Sequence, residues 1–224
     1  AEAYEITVTI EVHGYFTTKP EFLERMLAFA DSPYLRLNLD TGNSFTAGQG
    51  DPEGLGWVGR IAARMPKIDF ANHGVPGAPS SYVVQSWLET ELDPQRSELA
   101  IFMFGTNDAV LAIDEDETLM AMERALDRAE DLGTPVFVLG PPPVGDCGAA
   151  DAALADLSSV MWQVATMRAV PFLPTIEALG PGSTWHAEAQ AGDGSHPGAG
   201  GYAELTELLR TGGLTEWMLA MASR

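Results

Sequence analysis

The stretch Leu99-Ala100-Ile101-Phe102-Met103-Phe104-Gly105-Thr106-Asn107-Asp108 is an apolar run that stops abruptly in a turn-forming tetrapeptide. A short, continuously apolar segment bounded by Gly and Asn reads as a strand buried on both faces, with polar groups delivered at its carboxyl end. The same grammar recurs outward from it. Strands are expected near 35–39, 67–71, 98–104, 135–139 and 169–172. Helices are expected near 54–65, 79–92, 116–132, 149–168 and 200–222, where apolar residues recur at spacings of three and four. Strand and helix alternating in this way predict an α/β fold with a parallel sheet covered by helices on both faces. Pro and Gly gather where strands end, in Gly74-Val75-Pro76-Gly77-Ala78-Pro79 and Gly140-Pro141-Pro142-Pro143-Val144-Gly145. Open α/β sheets bind ligands at that carboxyl edge.

The composition narrows the functional classes. A chain of 224 residues, 46% hydrophobic, suits one well-buried domain spanning 1–224. Its 32 acidic and 12 basic residues leave a formal charge of -20, which repels nucleic acid and anionic lipid. The apolar runs are far shorter than the roughly 20 residues a membrane-spanning helix needs. The amino-terminal residues lack the basic flank and apolar core of a secretory signal, so a cytoplasmic location is expected, although a cleaved signal would leave no trace. A single cysteine, Cys147, excludes an internal disulfide framework. The acidic run Asp114-Glu115-Asp116-Glu117 precedes a helical pattern and suits the positive end of a helix dipole better than a metal.

Four loops carry chemistry. Ser44, in Gly42-Asn43-Ser44-Phe45, follows an apolar strand, and a serine hydroxyl becomes a nucleophile only when a base takes its proton. Asp193-Gly194-Ser195-His196 offers that base, because a carboxylate three residues before a histidine can bend back to Nδ1 and orient Nε2. His73 and His186 are rival bases without a carboxylate at that spacing. Gly74, in Asn72-His73-Gly74, lets a backbone N–H approach a substrate oxygen, and Asn107 supplies a side-chain amide. With the N–H of Ser44 they would form a three-donor oxyanion hole, each donor worth roughly 3–4 kcal/mol in the transition state. Read singly, each loop is an ordinary turn.

Taken in order, Gly-x-Ser, Asn-x-Gly, Gly-x-Asn-Asp and Asp-x-x-His resemble the four sequence blocks of the SGNH/GDSL hydrolases over about residues 35–222. The resemblance implies a three-layer α/β/α, flavodoxin-like fold, no cofactor, an acyl-enzyme on Ser44, and Gly74 and Asn107 as oxyanion donors. It points to an esterase for small or short-chain carboxylic esters, since no long insertion could form a lid. A carbohydrate O-deacetylase, a thioesterase, a lysophospholipase or a non-catalytic module with a distorted serine loop are the alternatives. Trp57, Val75, Pro142, Val144 and Trp185 are candidate pocket walls, with core packing the other role for the tryptophans.

Two features depart from the family pattern. Asn43 stands where the family usually has Asp, changing the hydrogen bonding beside the serine. About forty residues also precede the serine block, with 1–34 an atypical strand–helix extension. Glu5–Gly14 reads as a strand, Lys19–Asp31 as a helix and Tyr34–Leu39 as a strand, one βαβ unit. Residues 4–45 resemble two strands of a xylose-isomerase-like sugar isomerase barrel, a family in which Glu11 and Asp40 would be metal ligands. A remnant metal site on Glu11, His13 and Asp40 is the minor alternative. An extra strand on the sheet edge, or an arm pairing with a second subunit, is the main expectation.

Overall fold

The computed structural model describes residues 8–11, 35–38, 56–68, 70, 77–86, 99–145 and 148–222. The chain divides into two compact units, Ala1–Gly77 and Ala78–Arg224.

In the first unit, β1 (Val8–Glu11) and β2 (Leu35–Asn38) pair in parallel, with Val8 opposite Leu35 and Glu11 opposite Asn38. Both segments alternate β-branched or leucine side chains with polar ones, as expected for strands. Parallel neighbours require a crossover connection, so the pairing agrees with the expected βαβ order; the helix expected over 19–31 lies outside the described residues. Helix α1 (Gly56–Arg64) buries Ile61 completely. The strand expected near 67–71 is not formed by the residues described there. Met65 and Ile68 donate backbone hydrogen bonds to Ala62 and Met65, continuing the helix into a tight turn, and Phe70 lies outside any strand.

The second unit contains α2 (Ser80–Ser86), β3 (Ala100–Met103), α3 (Thr106–Val110) and α4 (Glu115–Leu132). Then follow β4 (Val136–Leu139), α5 (Gly148–Met167), β5 (Phe172–Leu173), α6 (Thr184–Ala191), α7 (Ala199–Thr211) and α8 (Leu214–Ala222). Its strands form a parallel sheet in the order β3-β4-β5, with Ala100 opposite Val136 and Val138 opposite Phe172. Strand β4 is buried along its whole length, which explains its uninterrupted Val-Phe-Val-Leu sequence. Successive side chains leave a strand on opposite faces. Val136 and Val138 join a core with Met122, Leu126 and Ala129 of α4 and Leu157, Met161 and Ala165 of α5. Phe137 instead meets Trp217 of α8 edge-on, with ring centres 5.4 Å apart. Helices thus cover both faces, as the alternating pattern predicts.

The ends of α4 show why it forms where it does. Asp114 accepts the Asp116 N–H at 2.9 Å, three acidic residues fill the first turn, and Gly133 closes the helix at φ 69°. The single helix expected over 200–222 is two helices, because Gly213 adopts φ 93° and turns the chain between α7 and α8. Helices α3 and α6 are too short to register as a periodic apolar stripe.

Candidate active site

The Asp193–His196 turn joins α6 to α7. Asp193 Oδ1 accepts the backbone N–H groups of Ser195 at 2.8 Å and His196 at 2.7 Å. Its Oδ2 lies 2.8 Å from His196 Nδ1, the contact anticipated from the Asp-x-x-His spacing. A carboxylate that accepts from Nδ1–H leaves Nε2 with its lone pair, the form required of a proton acceptor. The two side chains are 37% and 33% exposed, so the pair is open to a substrate rather than sealed in the core. Gly194, at φ 85°, donates to the Ala189 carbonyl at 2.9 Å. Its own carbonyl accepts the Gly145 N–H at 2.8 Å, fastening the turn to the loop after β4.

The helices flanking this turn cap one another. Glu188 on α6 accepts the Gly201 N–H in the first turn of α7 at 2.7 Å, and Glu204 on α7 accepts the Trp185 N–H in the first turn of α6 at 2.8 Å. Each carboxylate satisfies a backbone donor that a helix start leaves free. Trp185 donates its indole N–H to the Pro143 carbonyl at 2.9 Å and stacks edge-on against Tyr202. Gly145 has no room for a side chain, since a Cβ there would sit 2.5 Å from the Gln190 nitrogen. Loop 140–145 and the α6–α7 hairpin are therefore in backbone contact, and the Asp193–His196 turn is held by both. Neither glutamate carries a motif, and their partners are 13 and 19 residues away, so sequence reading had no local signal for them.

At the end of β3, Gly105 adopts φ 111°, and a Cβ there would lie 3.1 Å from Leu157 Cδ2. The next three side chains of α3 are anchored in different directions. Thr106 donates to the Pro142 carbonyl at 3.0 Å, and half-buried Asn107 donates its amide to the Ala78 carbonyl at 3.1 Å. Asp108, only 1% exposed, accepts from the Ser80 N–H, the Ser80 hydroxyl and the Thr118 hydroxyl.

Ser44, Gly74, Val75, His73, His13 and Asp40 lie outside the described residues, and Glu11 is described only as part of β1. Of the candidate pocket walls, Trp57 is half-buried in α1, Pro142 is buried, and Val144 and Trp185 are 2% and 4% exposed. His186, half-buried, lies in the first turn of α6, where its N–H is capped by the Ser183 hydroxyl. Among the described residues, no group of three His, Cys, Asp or Glu side chains could hold a metal, and no helix is long and apolar enough to cross a membrane.

Comparison with known proteins places these loops in context. Residues 41–204 match the model of the GDSL-like lipase/acylhydrolase family, a span that includes Ser44, Gly74, Asn107, Asp193 and His196. Among solved structures, a member of the lipolytic protein G-D-S-L family from Veillonella parvula is 18% identical, with a TM-score of 0.56 over 75% of this chain and 92% of its own. A catalytic mutant of an acetylxylan esterase from Geobacillus stearothermophilus is 19% identical, with a TM-score of 0.59 over 70% and 81%. The lipase/acylhydrolase from Enterococcus faecalis is 22% identical, with a TM-score of 0.53 over 68% and 80%. No curated protein matches the sequence. At these identities the structures bear on fold, and the fold they share is the parallel α/β arrangement described above.

Proposed function

The chain belongs to the GDSL-like lipase/acylhydrolase family, and on that premise we propose that it hydrolyses small or short-chain carboxylic esters through an acyl-enzyme on Ser44. The observation that carries this reading is the 2.8 Å contact between Asp193 Oδ2 and His196 Nδ1. In the proposed sequence, His196 Nε2 removes the Ser44 proton as Oγ attacks the ester carbonyl. The resulting oxyanion is held by the N–H groups of Ser44 and Gly74 and by the Asn107 amide. His196 then returns the proton to the departing alcohol. Water, activated by the same imidazole, releases the carboxylic acid and regenerates Ser44. Asp193 keeps the ring in one tautomer and stabilises the imidazolium formed in each half-reaction.

Likeness to an acetylxylan esterase fold favours a second reading, removal of O-acetyl groups from carbohydrate. A panel of p-nitrophenyl esters of rising chain length, beside acetylated xylan, separates the two by relative kcat/KM. The class itself is tested with Ser44→Ala. Loss of turnover and of fluorophosphonate labelling is expected, whereas a variant as active as the parent removes Ser44 from the reaction. A folded parent protein that neither turns over an ester nor takes up the probe is a non-catalytic module.

A further inference from the structure

Asp108 is a buried carboxylate that the proposed reaction does not use, although a charge is costly to bury. Its surroundings show what holds it. The Ser80 N–H lies 3.0 Å from one oxygen, and the Ser80 hydroxyl lies 2.5 Å and the Thr118 hydroxyl 3.0 Å from the other. Ser80 is the first residue of α2, so the carboxylate ties the start of that helix to α3 and, through Thr118, to α4. Two residues before Ser80, the Ala78 carbonyl accepts from Asn107 Nδ2. A primary amide has two N–H donors and one carbonyl oxygen. A carbonyl that takes one donor fixes which end of the amide is nitrogen and leaves the second N–H to be presented elsewhere.

We propose that Asp108 is a positioning residue for the oxyanion donor: by gripping Ser80 it holds the Ala78 carbonyl where it orients the Asn107 amide. This rests on the reading of Asn107 as an oxyanion donor. Asp108 touches no reacting atom. It acts through a short chain of contacts, carboxylate to Ser80, Ser80 to Ala78 along the backbone, and Ala78 to the amide. The requirement for a carboxylate follows from the neighbours, because Ser80 N–H, Ser80 O–H and Thr118 O–H are all donors and an acceptor-only group satisfies them together.

The test is a double-mutant cycle on kcat for p-nitrophenyl acetate, with the folded fraction of each variant matched by circular dichroism. Asn107→Ala is expected to lower kcat by roughly 10²-fold, and Asp108→Asn by roughly 10-fold. In the Asn107→Ala background, Asp108→Asn is expected to change kcat less than about 2-fold, since contacts that act as one unit are not additive. Ser80→Ala, a milder cut of the same tether, should reproduce the effect if Asp108→Asn folds poorly. A readout independent of turnover is the Asn107 side-chain amide in nitrogen-15 NMR, where Ser80→Ala should raise exchange of the proton bound to Ala78. If Asp108→Asn costs the same kcat in both backgrounds, or the Asn107 amide is unaltered by Ser80→Ala, the positioning role is overturned while the oxyanion reading stands. If Asn107→Ala alone leaves kcat unchanged, both fall.

Discussion

At the scale of single residues, Asp193 does two separable jobs with its two oxygens. Oδ1 closes the turn by accepting from Ser195 and His196, and Oδ2 faces the imidazole. Asp193→Asn keeps an acceptor for the turn but can place an N–H donor against Nδ1, favouring the wrong tautomer. The substitution is expected to lower kcat by roughly 10³- to 10⁴-fold, with little change in melting temperature. Ester kinetics and thermal unfolding on the same sample check both halves, and a large loss of stability without loss of kcat contradicts the assignment. This residue was legible in the sequence because its interactions span only two or three positions. Asp108 was visible only as part of a motif. Its partner Ser80 is 28 residues away, and no spacing rule connects them.

At the scale of elements, His196 sits in the turn between helices that supply each other's missing acceptors. Glu188→Ala leaves the Gly201 N–H without its carboxylate, and removal of such a cap costs about 1–2 kcal/mol. Glu188→Gln, which retains an oxygen acceptor, should recover most of it. Urea unfolding of the pair measures the difference, and equal stabilities for Ala and Gln would show that the carboxyl oxygen contributes nothing. Helix α4 was readable from Asp114, its acidic first turn and its apolar spacing, all local signals. The break between α7 and α8 was not, because Gly212 and Gly213 fall within a run whose apolar spacing continues on both sides. The shortness of β5, only two residues, likewise reflects pairing with β4 rather than any intrinsic property of Phe172-Leu173.

At the scale of the whole molecule, the net charge of -20 produces self-repulsion that salt screens. Raising ionic strength from about 0.01 M to about 0.15 M shortens the screening length from roughly 30 Å to roughly 8 Å. The melting temperature is expected to rise over that range in a sodium chloride series. Local ion pairs, such as Arg168 with Asp127 at 2.5 Å and Glu130 at 2.9 Å, are weakened by the same salt. A falling melting temperature would mean that such pairs outweigh the net repulsion. The alternation of strands and helices was legible from β3 onward, since each β-run and helical stripe there is written locally. The division into two units was not, because it depends on contacts distant in sequence. The mutual capping of α6 and α7 sets the Asp193–His196 pair within one helical hairpin, which the Gly145–Gly194 hydrogen bond fastens to the loop after β4. On the proposed reading, Ser44→Ala removes the nucleophile but none of the hydrogen bonds described for the Asp193 carboxylate, so the variant is expected to lose turnover while keeping the Asp193–His196 contact.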